Sequence, residues 1–251
     1  MSAVECRRSS ISYPAPIHSK IPKKSSLMAR TIKRVSAREG YDCWADIYDA
    51  TPNPVVAMDA RHTIRLLSPK RSERILDAGC GTGRHLEAMI QAGSAPVGID
   101  SSFGMLEVAC RRFSGVPLVQ ADLGGPLPLK SGCFDAVLCA LVGEHLRDLA
   151  SVFQEMRRVL KARGRLVFSV YHPAMAAAGS EAHFERDGVE FRLGAVEHTT
   201  AAYLEAMGRA GFIDLRPHEH LGDQALVERI PSAAKYLGFP ILLVVTARRE
   251  N

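Results

Sequence analysis

Between residues 74 and 171, short apolar runs alternate with stretches in which apolar residues recur every three or four positions. The runs predict buried strands over 74–78, 96–100, 116–120, 134–140 and 164–171, and the second pattern predicts helices over 83–92, 102–113 and 146–161. Strands and helices alternating at this spacing imply an α/β domain, a doubly wound parallel sheet with helices on both faces and ligands at the carboxyl ends of its strands. Downstream, the pattern predicts a helix over 199–210, a strand over 212–219, a polar helix near 223–236 and a last strand from Pro240 to Arg248. Upstream, Tyr41, Trp44, Ile47 and Tyr48 fall at helical spacing, and a second helical stretch runs from Val55 to Leu67 after the Pro52-Asn53-Pro54 break. Periodicity lapses over 174–199, except that Asp187-Gly188 separates two alternating segments between Phe184 and Phe191, the signal of a two-residue hairpin.

The first strand runs into Asp77-Ala78-Gly79-Cys80-Gly81-Thr82-Gly83, and the helical positions Leu86, Met89 and Ile90 follow. Alternating glycines let the backbone turn tightly and let a ligand approach where a Cβ would collide. The helix that follows presents free N–H groups to that ligand, which favours an anionic group such as a carboxylate or phosphate. A dinucleotide fingerprint requires Gly-x-Gly-x-x-Gly, and the position it needs after Gly81-Thr82-Gly83 is Leu86. The second strand ends on Asp100, 23 residues beyond Asp77. A carboxylate there can accept both hydroxyls of a ribose.

These residues resemble the nucleotide loop of the class I S-adenosylmethionine-dependent methyltransferases, whose pattern acid-x-Gly-x-Gly-x-Gly is met in full by Asp77 to Gly83. The resemblance covers roughly Tyr41 to Arg248, is strongest from Arg74 to Tyr171, and points to the branch of quinone-ring C-methyltransferases and small-molecule O- and N-methyltransferases. It implies a Rossmann-like sheet of seven strands whose final strand enters antiparallel, preceded by an N-terminal helical lid. It implies S-adenosyl-L-methionine as cofactor and S-adenosyl-L-homocysteine as product. Gly79, Cys80, Gly81 and Gly83 would then cradle the amino-acid tail, and Asp77 would fix its ammonium directly or through water. Asp100 would hold the ribose, Ser101 and Met105 would supply a polar contact and an apolar shelf, and Ala140 would stand at the end of the fourth strand. Asp122 and Leu123 resemble the adenine-edge site, although Asp122 equally reads as a cap for the turn Gly124-Gly125-Pro126. Tyr41 and Tyr48 resemble lid aromatics that close over the methionine end. The Asn/Asp-Pro-Pro-Tyr/Phe loop of amino-methyltransferases of nucleic-acid bases is replaced by Cys139-Ala140-Leu141-Val142-Gly143-Glu144-His145.

A sulfonium already carries a good leaving group, so the protein has to align an acceptor and exclude water, and needs a base only where the acceptor must lose a proton. Glu144, His145 and His172 stand in the loops after the fourth and fifth strands and are the candidates. Histidine titrates near neutrality; His145 also reads as a residue packing at the start of helix 146–161. His172 precedes Pro173, which breaks the strand and turns the histidine toward the cleft. His183 and His198 flank the hairpin and read as solvated or lid-packing residues, and no metal ligand set is expected.

Composition narrows the setting. The 251 residues are 47% hydrophobic, enough for one domain with an appendage. The apolar run Ile241 to Val245 falls far short of the roughly 20 residues needed to span a bilayer. Six cysteines without a Cys-x-x-Cys pair suit a reduced, cytoplasmic setting. Residues 1–37 hold eight Lys/Arg against Glu5, which leaves the remainder of the +5 chain at −2. That balance argues against an extended nucleic-acid surface, and the resemblance implies a small-molecule methyl acceptor as partner. Residues 1–36 read as a disordered basic extension: a tail, an organelle-targeting peptide, or residues upstream of a start at Met28. Residues 37–251 read as the methyltransferase domain, with a helical lid over 37–70 and an acceptor-side lid over 174–199. Two further readings stay open, a tRNA-modifying methyltransferase anchored by the basic tail and a non-catalytic cofactor-binding subunit.

Overall fold

A computed structural model describes residues 31–251. The expectations for residues 1–30 lie outside the described residues. In chain order the elements are β1 (Thr31–Arg34), α1 (Ala37–Trp44), α2 (Pro54–Leu67), β2 (Arg74–Ala78), α3 (Leu86–Gln91), β3 (Ala95–Asp100), α4 (Phe103–Arg112), β4 (Leu118–Gln120), β5 (Phe134–Ala140), α5 (Leu149–Val159), β6 (Leu160–Tyr171), α6 (Pro173–Ala177), β7 (His183–Arg186), β8 (Val189–Arg192), α7 (Thr200–Arg209), β9 (Phe212–Leu221), α8 (Gln224–Arg229) and β10 (Pro240–Arg249).

The main sheet has seven strands in the order β4-β3-β2-β5-β6-β10-β9. Strands β4 to β6 pair in parallel, and β10 inserts antiparallel between β6 and β9. The sheet is the expected α/β arrangement with the final strand reversed. Its middle strands are apolar on both faces: Ile75, Leu76, Val137, Leu138, Leu166, Phe168, Leu243 and Val244 are all buried, as expected where helices cover both sides of a parallel sheet. The chain leaves β2 toward β3 and β4 and then returns to lay β5 on the opposite side, so the crevice above β2 is the topological switch point where such sheets hold ligands.

Local chemistry explains the boundaries. Asn53 accepts from the Val55 and Val56 amides and Pro54 takes the first helical position, so the Pro-Asn-Pro break is the cap of α2. Ser102, Asp148, Thr199 and Asp223 cap α4, α5, α7 and α8 in the same way. The helix expected over 146–161 starts only at Leu149, because Asp148 caps it and residues 143–145 form a separate 3-10 turn. The polar helix near 223–236 is split by Pro231 into α8 and a 3-10 turn from Pro231 to Tyr236, as the missing proline N–H requires.

A second, three-stranded sheet has the order β1-β8-β7. Asp187 and Gly188 both have positive φ, the geometry of the two-residue turn expected there. Residues 31–36, expected within the disordered extension, instead form β1 in parallel register with β8 and the Ser36 cap of α1. The reason is the free edge of β8, which the hairpin alone leaves unpaired. This small sheet has its own apolar cluster of Trp44, Phe184 and Leu193, with Trp44 stacked on Phe184 at 4.8 Å between ring centroids. The lid helix and the hairpin therefore share one core. No helix among the described residues is long and apolar enough to cross a membrane.

Candidate active site

A cavity of about 550 Å³ lies over the carboxyl ends of β2, β3, β4 and β5, roofed by α1. Tyr41, Tyr48, Gly79, Cys80, Gly81, Asp100, Ser101, Met105, Asp122, Leu123, Ala140 and His145 all line it. Asp77 and Gly83, expected at the cofactor, do not. A Cβ on Gly83 would meet the Phe113 ring at 2.8 Å, so this glycine serves packing beneath the loop. A Cβ on Gly81, at φ +53°, would project into open space within the cavity wall.

Asp77 lies under the loop, fully buried, with neither carboxylate oxygen hydrogen-bonded. Burial pushes its pKa up to about 6, against the pull of His85 and Arg84. It is a carboxyl group without a hydrogen-bond partner beneath the glycine loop. Asp100 accepts from the Gly81 amide at 2.9 Å through one oxygen and from the Ser102 amide at 2.8 Å through the other. Burial raises its pKa, while these amides oppose the rise. Each of its oxygens keeps a further lone pair for a ligand hydroxyl. Asp122 caps its own turn by accepting from the Gly124 amide at 2.9 Å, yet it also lines the cavity.

Sequence reasoning missed the polar cluster behind the loop. Asp59 of α2 is fully buried and accepts from Thr63 and Ser169 hydroxyls, both at 2.5 Å. His85 Nε2 stands 2.8 Å and Arg84 Nη2 2.9 Å from its other oxygen. Burial alone would raise the Asp59 pKa, and these partners together hold it well below the usual carboxylate range. Asp59 thus clamps α2, the start of α3 and β6 around one carboxylate. The available signal was Asp59 and Thr63 one helical turn apart on the apolar face of α2, followed by Arg84-His85 directly after the last glycine.

The lid is tied down at three points. The Tyr41 hydroxyl lies 3.1 Å from His145 Nε2. Asp42 accepts from the Ser102 hydroxyl at 2.7 Å and the Gly104 amide at 2.9 Å, and Asp49 accepts from Thr82 and Arg112, both at 2.9 Å. Burial lowers the His145 pKa to about 4, so its ring is neutral at pH 7 and a weak proton acceptor. His172, expected to face the cleft, has its ring nitrogens engaged elsewhere. Its Nδ1 accepts from the Ala174 amide at 3.1 Å and its Nε2 lies 3.3 Å from Glu219 of β9, so the ring caps α6 and lines neither cavity.

A second cavity of about 530 Å³ adjoins the first and shares Tyr41, Tyr48 and Leu141 with it. Its walls come from the lid, from Tyr171 at the end of β6, from the hairpin and from Tyr236. Glu144 lines it, buried, with Oε2 lacking any hydrogen-bond partner. Burial pushes the Glu144 pKa up to about 8, and the Asp59 charge adds to the rise. His198 Nε2 faces the Leu146 carbonyl at 2.7 Å and His183 is exposed. No group of metal-ligating side chains occurs among the described residues. The five described cysteines are free.

Comparison with known proteins agrees with this geometry. A family described as "Methyltransferase domain" matches residues 76–168. The chain is 39% identical over 108 residues to the demethylmenaquinone methyltransferase of Clavibacter sepedonicus, covering 42% of this chain and 44% of that protein. It is 37% identical over 124 residues to the malonyl-[acyl-carrier protein] O-methyltransferase of Legionella pneumophila, covering 44% and 43%. The chain thus spans less than half the length of these two curated relatives. The crystal structure of an S-adenosylmethionine-dependent methyltransferase from Mesorhizobium loti superposes with a TM-score of 0.66 at 25% identity, over 78% of this chain and 100% of that one. With the seven-stranded order, the alternating glycines and Asp100 at the end of β3, these matches support a class I S-adenosylmethionine-dependent methyltransferase.

Proposed function

We propose that this protein binds S-adenosylmethionine in the first cavity and transfers its methyl group to a small-molecule acceptor in the second. The observation that carries this reading is the adjacency of the two cavities, which meet at Tyr41, Tyr48 and Leu141 over the glycine loop. The first cavity suits the group. Gly81 leaves room where a Cβ would intrude, Asp100 offers lone pairs to a ribose diol, and Asp77 and Asp100 place negative charge beneath a cationic sulfonium and ammonium. When bound, the group supplies a methyl on positively charged sulfur, which leaves the protein the tasks of alignment and water exclusion.

The chain's own residues divide those tasks. Asp100 and the Gly79–Gly81 backbone fix the ligand, with Asp122 and Leu123 at the far end of the cavity. Neutral His145 holds Tyr41 down and so keeps the roof closed. The acceptor is read as a small molecule because the second cavity is walled by the lid and the hairpin, and because residues 38–251 carry a net negative charge.

Calorimetry with S-adenosylmethionine, S-adenosylhomocysteine and NADH tests the first half: both sulfur nucleosides should bind and NADH should not. Incubation with methyl-labelled S-adenosylmethionine and cell extract tests the second: label should enter low-molecular-weight products. Label in RNA instead would favour the tRNA-modifying reading, and binding without transfer to any fraction would favour a non-catalytic subunit.

A further inference from the structure

The second cavity holds an unpaired acid among aromatic rings. Tyr41, Trp44, Tyr48, Tyr171 and Tyr236 contribute to its walls, and Glu144 is the buried carboxyl group among them whose Oε2 has no partner. The basic side chains on the same walls are already engaged or lie in water. Arg192 pairs with Glu190 at 2.8 Å and with Glu181 at 3.2 Å, while exposed Lys235 sits 4.8 Å from the centroid of the Tyr236 ring. Asp59 adds negative charge behind Glu144. Aromatic faces attract cations through the ring quadrupole, and a buried carboxylate without a partner is costly until a cation answers it.

We propose that the methyl acceptor is an amine, which enters the second cavity as its ammonium, rests among these aromatic walls, and gives a proton to Oε2 of Glu144 before methyl transfer. This inference rests on the reading of the first cavity as the S-adenosylmethionine site. Proton transfer leaves a neutral amine and a neutral Glu144 carboxyl. The nitrogen lone pair forms the new N–C bond while the C–S bond breaks and its electron pair stays on sulfur. The sulfonium becomes a thioether, the amine becomes an N-methylammonium, and the Glu144 proton departs to solvent when the product leaves.

Other acceptor classes fit less well. A carboxylate or phosphate acceptor would face the Asp59 charge and oppose ionisation of Glu144, and the cations on these walls are Arg192, already paired with Glu190 and Glu181, and Lys235, which is exposed. A phenol could give up a proton to Glu144, but its phenolate would face the ring π-clouds, whose negative faces repel it. Burial holds the empty site's Glu144 mainly protonated at neutral pH, and the charge of an ammonium standing beside it favours the ionised form, which then accepts the amine proton.

The test uses the full chain saturated with S-adenosylhomocysteine and three probes of one shape: 2-phenylethylamine, 2-phenylethanol and 3-phenylpropanoate. By calorimetry at pH 7.5 the amine should bind about thirtyfold more tightly than the alcohol, and the acid most weakly. Glu144→Gln should erase that preference while S-adenosylhomocysteine still binds. Tyr236→Leu, which removes one wall and leaves the carboxyl in place, should weaken the amine about fivefold. Equal affinity for amine and alcohol, preference for the acid, or no binding of any probe to the loaded protein would overturn the inference and leave the methyltransferase reading standing. Failure of S-adenosylhomocysteine itself to bind would instead remove the reading beneath it. In the extract experiment the labelled product should be a base retained by a cation exchanger, and a neutral or acidic product counts against an amine.

Discussion

Two glycines separated by the single residue Thr82 show how single residues divide between fold and ligand. Gly81 and Gly83 both have positive φ, but only Gly81 faces the cavity, while Gly83 packs on Phe113 and Leu86. Gly81→Ala should cost about 1–2 kcal/mol of stability from the left-handed backbone alone and should cut S-adenosylhomocysteine affinity at least tenfold by placing a methyl in the ligand's space. Gly83→Ala should lower stability more, since it adds a collision to the same strain, and should reduce affinity only in proportion to misfolding. Thermal unfolding and calorimetry on both variants separate the two, and a Gly81→Ala protein that binds normally would show the cradle to be misassigned. Asp100→Ala should weaken the same ligand about thirtyfold and destabilise the apo protein by roughly 1–3 kcal/mol, because it strands the Gly81 and Ser102 amides. Glu144 gives a pH prediction. Its folded value of about 8 stands above its ordinary 4.5, so between those values the folded chain binds more protons than the unfolded one and this group makes stability fall as pH rises. The groups around it are Asp59, His145, Cys139, Tyr41, Tyr48, Tyr171 and Tyr203. His145, held down at about 4 by burial, acts in the opposite sense between 4 and 6.5. Urea unfolding should therefore show the stability gap between Glu144→Gln and wild type widening in favour of the variant from pH 5 to pH 8, and a gap independent of pH would contradict the buried placement.

At the scale of elements, the strands were the most legible part of the sequence. β2 and β5 fall on the residues expected of them because short apolar runs buried on both faces leave little choice of period or end point. Helix ends were less legible, since they are fixed by single caps such as Asp148 and Asn53 rather than by the apolar repeat. β1 was not legible at all: a four-residue strand with every side chain exposed carries no pattern, and it exists because β8 offers an edge. The same holds for the site. The glycines and Asp100 stood out by spacing, whereas Asp59, Arg84 and His85 converge from separate elements through folding alone, and the role of His172 as the cap of α6 is set by a hydrogen bond that no spacing displays. The lid helix α1 makes its own prediction. It is tied to the start of α4 by Asp42, whose carboxylate accepts from Ser102 and Gly104. Asp42→Ala should raise amide exchange over residues 37–50 and weaken S-adenosylhomocysteine about tenfold, while exchange in β2, β5 and β6 stays unchanged. Uniformly faster exchange would mean that Asp42 supports the whole domain rather than the lid.

At the scale of the molecule, the main sheet supplies a rigid floor and the small sheet with α1 supplies a roof, and both cavities lie where roof meets floor. The floor has the extended apolar core, from Met58 to Ala247, whereas the roof is held by the Trp44–Phe184–Leu193 cluster and by polar ties at Tyr41, Asp42 and Asp49. Fewer buried apolar contacts mean a lower free energy of local opening, so in the absence of ligand the roof should exchange its amides well before the floor does. Ligand in the first cavity touches both parts and should couple them. Saturation with S-adenosylhomocysteine at about a hundred times its dissociation constant stabilises the bound state by about 2.7 kcal/mol, which for a domain of this size raises the unfolding temperature by roughly 5–10 °C. Because opening of the roof alone also releases the ligand, residues 31–50 and 183–193 should gain protection by nearly that whole amount. The floor strands, whose burial should restrict their exchange to global unfolding, should gain the same increment on a much higher baseline. Hydrogen exchange with and without the nucleoside reads both. Protection confined to 74–122, with the roof unaffected, would show that the lid does not close over the ligand and would separate the two cavities that the proposed reaction requires to work together.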